Sequence, residues 1–246
     1  MNVAIIPARY ASTRFPGKPL ADIAGQSMIS RVYQQARKAT KIDHVVVATD
    51  DKRIYDHVVS FGGKALMTSI NHDSGTDRCF EAYKILDKKY DYLINVQGDE
   101  PFIDPGQIDA LAETLNGGKT EIATLIGVVK RKEILEDPGE VKVVIDSEGR
   151  ALYFSRQAIP YIRGVGEAHW TSHHDFYYHI GLYAYRTDIL GKITRLPVSG
   201  LEKAESLEQL RWMENGYHIK CVITDKESYC IEEPGDITKV LKKLKL

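Results

Sequence analysis

Apolar positions in the first half of the chain switch regularly between two spacings. Short runs at residues 3–6, 45–49 and 92–96 are rich in β-branched side chains and read as buried strands, with a shorter one at 64–67. Between them the spacing becomes helical. Met28, Ile29, Val32 and Ala36 fall on one face of a helix over 28–39. Further helices are expected over 51–61, stopping at Gly62-Gly63, over 76–86, and from Pro105 to about 116, where Asn116-Gly117-Gly118 ends the pattern. This alternation predicts an α/β fold, a parallel sheet with helices on both faces. Ligands of such sheets sit beyond the carboxyl ends of the strands, so the loop after Ile6, Asp50, and the run Gln97 to Glu100 share one rim.

The second half is less regular. Residues 141–145 and 151–154 flank Asp146-Ser147-Glu148-Gly149 and read as a hairpin. A strand is expected over 178–185 and one helix over 202–215, ended by Gly216, whereas the His- and Tyr-rich stretch 169–178 gives no assignable element. The tail carries Ile237, Val240, Leu241 and Leu244 on one helical face and Lys239, Lys242, Lys243 and Lys245 on the other. It reads as a helix packed on the sheet with a solvated basic face, the alternative being an anionic surface. No repeat, low-complexity tract or linker divides the chain, so one domain over 1–246 is expected.

Charge narrows the partners. The chain has 246 residues, 33 basic against 34 acidic, and a net charge of −1, which argues against a nucleic-acid partner held by bulk charge. No apolar run approaches the roughly 20 residues of a membrane span, and the strand begins directly after Met1-Asn2 with no charged leader. Cys79, Cys221 and Cys230 lack metal or redox spacing and read as buried thiols in a reducing cytoplasm.

The densest chemistry follows the first strand. Pro7 to Leu20 supplies Arg9, Arg14 and Lys18 among small residues and prolines, a stiff cationic loop suited to a polyphosphate, although it lacks the glycine spacing of a Walker A loop. Asp99 ends an apolar strand beside Gly98, where a carboxylate can offer a hard oxygen to Mg²⁺ or cap a helix. The run His72 to Arg78 leads into a helix that Ser74 or Thr76 can cap, and the same geometry offers N–H groups and an Arg to a base or phosphate. His179, Tyr183, Arg156 and the pair Glu208-Gln209 are polar residues within apolar stretches. His179 and Tyr183 share a strand face, and an Arg nearby suits a sugar acid.

Taken in order, Ile6-Pro7-Ala8-Arg9 with Arg14-Phe15-Pro16-Gly17-Lys18-Pro19-Leu20, Val47-Ala48-Thr49-Asp50, Ser74-Gly75-Thr76-Asp77-Arg78, Gln97-Gly98-Asp99-Glu100-Pro101, Val141-Lys142-Val143-Val144, Ser155-Arg156, His179-Ile180-Gly181-Leu182-Tyr183 and Leu207-Glu208-Gln209 resemble the 3-deoxy-manno-octulosonate (Kdo) cytidylyltransferases. The resemblance implies a single Rossmann-like nucleotidyltransferase domain with a mainly parallel sheet, and a β-rich portion over about 140–200 that makes a homodimer. It implies transfer of CMP from CTP to Kdo with Mg²⁺, for lipopolysaccharide biosynthesis. By the same resemblance Ala8, Arg9, Arg14 and Lys18 hold the triphosphate, Ser74 and Arg78 lie by the nucleotide, and Gln97, Arg156, His179, Tyr183, Glu208 and Gln209 contact the sugar acid. Asp99 binds the metal.

One position departs from the family. Its usual ending, Gly-Val-Asp-Thr-Pro-Glu-Asp, is here Cys230-Ile231-Glu232-Glu233-Pro234-Gly235-Asp236, which puts Glu232 at the second metal-ligand position. A tolerated replacement, coordination through water and a weakened enzyme are the three readings. The other functional alternatives are a related acceptor such as 8-amino-Kdo, and a CTP-binding relative with impaired catalysis.

Overall fold

The computed structural model describes residues 1–246. Contacts divide the chain into two compact units, residues 1–113 with 228–246, and residues 114–227.

The first unit follows the expected alternation. β1 (Asn2–Ala8) is followed by a small ladder of β2 (Asp22–Ile23) and β3 (Gln26–Ser27), then α1 (Met28–Lys38), β4 (His44–Thr49), α2 (Lys52–Ser60), β5 (Ala65–Met67), α3 (Gly75–Ile85), β6 (Tyr92–Asn95) and α4 (Pro105–Leu115). β6, β1, β4 and β5 lie side by side in that order, all parallel. The strands are apolar on both faces because both are covered, and Val3 to Ile6 are fully buried. The helices start where local chemistry satisfies their free N–H groups. Ser27 caps α1, Asp51 caps α2 and Ser74 caps α3 through its side chain. Ala8 pairs with Thr49, and Thr49 with Met67, so the loops after these strands leave from one edge. That edge is the rim expected from the sequence.

The second unit is mixed. It contains β7 (Ile122–Val128), α5 (Lys132–Glu136), β8 (Lys142–Ile145), β9 (Ala151–Ser155), α6 (Trp170–His173), β10 (Tyr177–Arg186), α7 (Thr187–Ile193), α8 (Gly200–Glu205), α9 (Glu208–Glu214) and β11 (Ile219–Thr224). β10 runs antiparallel to β7 and β8, β8 pairs antiparallel with β9 as the expected hairpin, and β11 runs parallel to β7. β7, α5, α7 and β11 lie outside the set that the hydrophobic pattern assigned. The single helix expected over 202–215 is two helices. Ser206 takes φ 52°, the left-handed region, and ends α8 before α9 begins.

The chain then returns to the first unit as α10 (Pro234–Leu244). Its Ile237, Val240, Leu241 and Leu244 pack against a cluster that includes Ile23, Met28 and Ile231. Packing on the protein therefore covers the apolar stripe of the tail. One thiol differs from expectation: Cys79 and Cys221 are buried, but Cys230 is exposed, because it lies on the irregular run just before α10.

Candidate active site

The cationic loop is stiffened by its own backbone. Tyr10 O accepts from Ser12 N and Gly17 N, both at 3.0 Å, and Gly17 adopts φ +72°, which only glycine reaches without strain. A short helical turn over Lys18–Leu20 then aims Lys18 back toward the strand ends. Its Nζ lies 2.8 Å from Asp99 Oδ2 and 3.1 Å from Ile231 O, while Ile231 N donates to Asp99 O at 2.9 Å. Two separate segments, 97–99 and 230–232, are thereby laid beside one lysine. Arg14 forms an ion pair with Glu232. Gly98 is needed for this closeness, since a Cβ there would stand 2.7 Å from Pro7 O.

These residues surround a cavity of about 300 Å³. Ala8, Arg9, Arg14 and Lys18 line one side and Gln97, Gly98, Asp99 and Glu232 another. Ser74 and Arg78 also reach it. Ser74 accepts from Asp77 N at 3.1 Å, which is the capping role. Arg78 is buried, with Nη2 2.7 Å from Asp50 Oδ2, and Nη1 2.7 Å from Thr68 Oγ1. Asp50 is thus the counter-ion that lets a guanidinium be buried at the strand ends. Beside Asp99, the carboxyl of Glu100 is pushed up to about 7, chiefly by burial and further by the Asp99 charge. A hydrogen bond from Ser228 at 2.6 Å opposes that shift. The cavity is therefore a cationic cleft in which Lys18 and Arg14 are pre-placed by Asp99 and Glu232.

The second unit holds the other group of candidates. A β-bulge in β10 between Ile180 and Tyr183 shortens the distance along the strand, so the His179 and Tyr183 rings lie 5.1 Å apart at their centroids. A regular strand would separate residues at this spacing by about 13 Å. Trp212 meets Tyr183 edge-on at 5.2 Å, and α9 brings Gln209 to the same face of the unit as Trp212. Two buried polar atoms here, Tyr183 Oη and Gln209 Nε2, make no hydrogen bond of proper geometry. Burial raises the Tyr183 pKa well above its ordinary value, and the nearby Glu208 carboxylate adds to that rise. Burial pushes His179 down to about 4, so the imidazole is neutral at physiological pH. The Tyr183 hydroxyl nevertheless lies close enough to the Thr124 hydroxyl to interact with it, which leaves Gln209 Nε2 as the unpartnered donor of the pair.

Arg156 is placed differently. Its guanidinium donates to Glu205 O at 2.7 Å, Pro138 O at 2.9 Å and Ser206 O at 3.4 Å, and its backbone N–H donates to Glu205 Oε2 at 3.0 Å. It ties the left-handed turn at Ser206 to the loop before β8. Thr124, on β7, was not singled out by the sequence, yet its hydroxyl contacts His179 Nε2 at 2.9 Å. The available signal was a hydroxyl residue within a fully apolar run, Ile122-Ala123-Thr124-Leu125-Ile126.

Parallel strands carrying a cationic loop at their carboxyl edge, with a separate polar cluster on a bulged strand, define a nucleotidyltransferase-like class. The model of the cytidylyltransferase family matches residues 3–224. The 3-deoxy-manno-octulosonate cytidylyltransferase of Parabacteroides distasonis is 53% identical over 243 residues, spanning 97% of this chain and 96% of its own length. That of Cytophaga hutchinsonii is 54% identical over 239 residues, spanning 97% and 95%. A solved CMP:2-keto-3-deoxy-manno-octonic acid synthetase complexed with CTP superposes with TM-score 0.91 at 40% identity, covering 100% of this chain and 99% of its own. A 4-diphosphocytidyl-2C-methyl-D-erythritol synthase from Anaerococcus prevotii shares the fold alone, at TM-score 0.63 and 16% identity. The chain belongs to the cytidylyltransferases, and within them to the 3-deoxy-manno-octulosonate cytidylyltransferase family.

Proposed function

We propose that this protein transfers CMP from CTP to the anomeric hydroxyl of 3-deoxy-manno-octulosonate, giving CMP-Kdo and pyrophosphate. The observation that carries the reading is Lys18 held 2.8 Å from Asp99 on a cavity also lined by Arg9 and Arg14. Family membership and the names of the relatives supply the substrates. In the reaction the anomeric oxygen forms a bond to the α-phosphorus. The bond from that phosphorus to the bridging oxygen breaks, and the electron pair leaves on pyrophosphate with release of the hydroxyl proton. No covalent nucleophile of the protein is required, so alignment and charge neutralisation carry the rate. Arg9, Arg14 and Lys18 supply that neutralisation on the triphosphate side, with Ser74 and Arg78 placed for the nucleoside end. His179, Tyr183, Glu208 and Gln209 take the sugar acid, with Gln97 and Arg156 as further candidates.

The donor chemistry also fits Mg²⁺. Asp99 and Glu232 offer two hard carboxylates to one cavity, and Mg²⁺ ordinarily takes one or two from protein and completes its shell with substrate phosphates and water. When bound there it supplies positive charge to the transferring phosphate and to the leaving pyrophosphate. A cytoplasmic homodimer, paired through the β-rich portion at 140–200 and serving lipopolysaccharide biosynthesis, completes the reading. No helix is long and apolar enough to cross a membrane. The test is pyrophosphate release from CTP with Mg²⁺, with and without Kdo. Sugar-dependent release is expected, and release no greater than with CTP alone would sink the proposal.

A further inference from the structure

Thr124 lies at the centre of a buried hydrogen-bond arrangement that also includes the Tyr183 hydroxyl, which can donate into one of the two lone pairs of the threonine oxygen. Its side chain is fully buried on β7. The hydroxyl oxygen lies 2.8 Å from Leu182 O, 3.3 Å from Ile180 O and 2.9 Å from His179 Nε2. The bulge in β10 turns both carbonyls toward this one hydroxyl. A carbonyl can only accept, and the hydroxyl has a single hydrogen. An oxygen–oxygen contact of 2.8 Å without a hydrogen between the atoms would be repulsive, so that hydrogen lies on Leu182 O. Toward His179 the Thr124 oxygen is therefore an acceptor, and Nε2 must carry a proton.

The rest of the environment keeps the ring neutral. The Phe154 ring meets His179 edge-on at 5.3 Å and the Tyr183 ring lies 5.1 Å away. No carboxylate is among the causes of the His179 shift, which is due to burial alone. A neutral imidazole protonated at Nε2 has a bare lone pair at Nδ1. His179 retains part of its solvent-accessible surface, and Nδ1 is not among the buried atoms left without a partner. We propose that Thr124 is a positioning residue that fixes His179 as the Nε2–H tautomer, so that Nδ1 is presented as an acceptor to a hydroxyl of the sugar acid. The identity of that ligand rests on the function proposed above, whereas the tautomer does not.

The consequence is a selectivity for donors. A sugar hydroxyl facing Nδ1 is accepted, and an analogue lacking it leaves the nitrogen bare. Removing the Thr124 hydroxyl while keeping its shape would strand the Nε2 proton in an apolar site. The ring would then shift its proton to Nδ1, where solvent can accept it, and would offer the substrate a donor in place of an acceptor.

The experiment is nitrogen-15 NMR of the full chain without ligands, comparing the parent with Thr124→Val and Thr124→Ser and assigning the His179 signals by His179→Gln. The parent and Thr124→Ser are expected to show a protonated Nε2 and an unprotonated Nδ1 near neutral pH. Thr124→Val is expected to populate the Nδ1–H form, with KM for the sugar acid raised roughly ten-fold, the effect of one lost hydrogen bond. KM for CTP should stay within about two-fold, since the nucleotide contacts are left intact. A parent spectrum with the proton on Nδ1, or a valine variant that keeps the parent tautomer, overturns the proposal. If the valine variant fails to fold, the parent and serine spectra still decide the tautomer. The expected spectra together with no turnover of Kdo would overturn the ligand assignment and the proposed function, but not the role of Thr124 toward His179.

Discussion

Replacing Lys18 by Met removes a charge from the cavity and leaves Asp99 without the ammonium that lies 2.8 Å from it. Both side chains are mostly buried, at 17% and 26% exposure, so water replaces the lost partner poorly. Loss of one pre-placed donor at a developing charge costs about 10²–10³ in kcat. Steady-state kinetics of Lys18→Met should show that fall with a smaller change in KM for Kdo. A variant within ten-fold of the parent would remove Lys18 from the transfer step. Glu232 makes a separate claim. It stands where the sequence resemblance leads one to expect an aspartate, and it is paired with Arg14. Glu232→Gln keeps the shape and removes the charge. The Mg²⁺ concentration for half-maximal rate should rise roughly ten-fold or more, since even outer partners of a metal site contribute that much. An unchanged Mg²⁺ titration would take Glu232 out of the metal site.

The break between α8 and α9 is an element-scale feature that one residue controls. Ser206 sits at φ 52° and its carbonyl accepts from Arg156, so the turn is held by both conformation and hydrogen bonding. A β-branched residue enters the left-handed region at a cost of about 1–2 kcal/mol. Ser206→Val should lower unfolding free energy by that amount in urea titrations, while Ser206→Gly should be close to neutral. Equal stability of all three would mean that the turn is not strained. The sequence pattern ran straight through this position because Leu201, Ala204, Leu207 and Leu210 recur every three residues with no glycine or proline between them. It was the tertiary contact from Arg156 that fixed the break, and such contacts leave no local trace. The bulge at Ile180 to Tyr183 is similar. The sequence placed His179 and Tyr183 on one strand face, but the distance of 5.1 Å follows from the extra residues in β10 opposite β7.

At the scale of the molecule, pH dependence of stability follows from His179. Its pKa is about 4 in the folded chain, against an ordinary value of 6.5. Below pH 6.5 the unfolded chain takes up a proton that the folded chain refuses, so the stability contribution is full above 6.5. It is lost as pH falls toward 4. The shift corresponds to a loss of up to ~3 kcal/mol across that window. The difference in unfolding free energy between the parent and His179→Gln should shrink by this order between pH 7 and pH 4. A difference independent of pH would show that His179 titrates normally.

The first unit was largely legible because Val3 to Ile6, Val45 to Ala48 and Leu93 to Ile94 are continuous buried runs bounded by turn residues. Their carboxyl ends carry the loop with Lys18, Asp50 and Asp99, so that rim is legible from the strand pattern, whereas the arrival of Arg78 at the same cavity is not. The pairing of Ile231 with Asp99 was not legible, since it joins residues far apart in sequence through a backbone hydrogen bond. β7 escaped notice although it is buried along nearly its whole length. Its Ala123, Leu125 and Gly127 dilute the β-branched signal of Ile122, Thr124, Ile126 and Val128, so the partner of His179 was not legible either.

The central claim is that the anomeric oxygen of the sugar acid displaces pyrophosphate from CTP, and phosphorus-31 NMR of the complete reaction tests it most directly. With Kdo carrying carbon-13 at the anomeric position, CTP and Mg²⁺, the account predicts pyrophosphate and one diester phosphorus in equal amounts, the diester coupled to the labelled carbon. Pyrophosphate accompanied by free CMP, or a diester without that coupling, would contradict it.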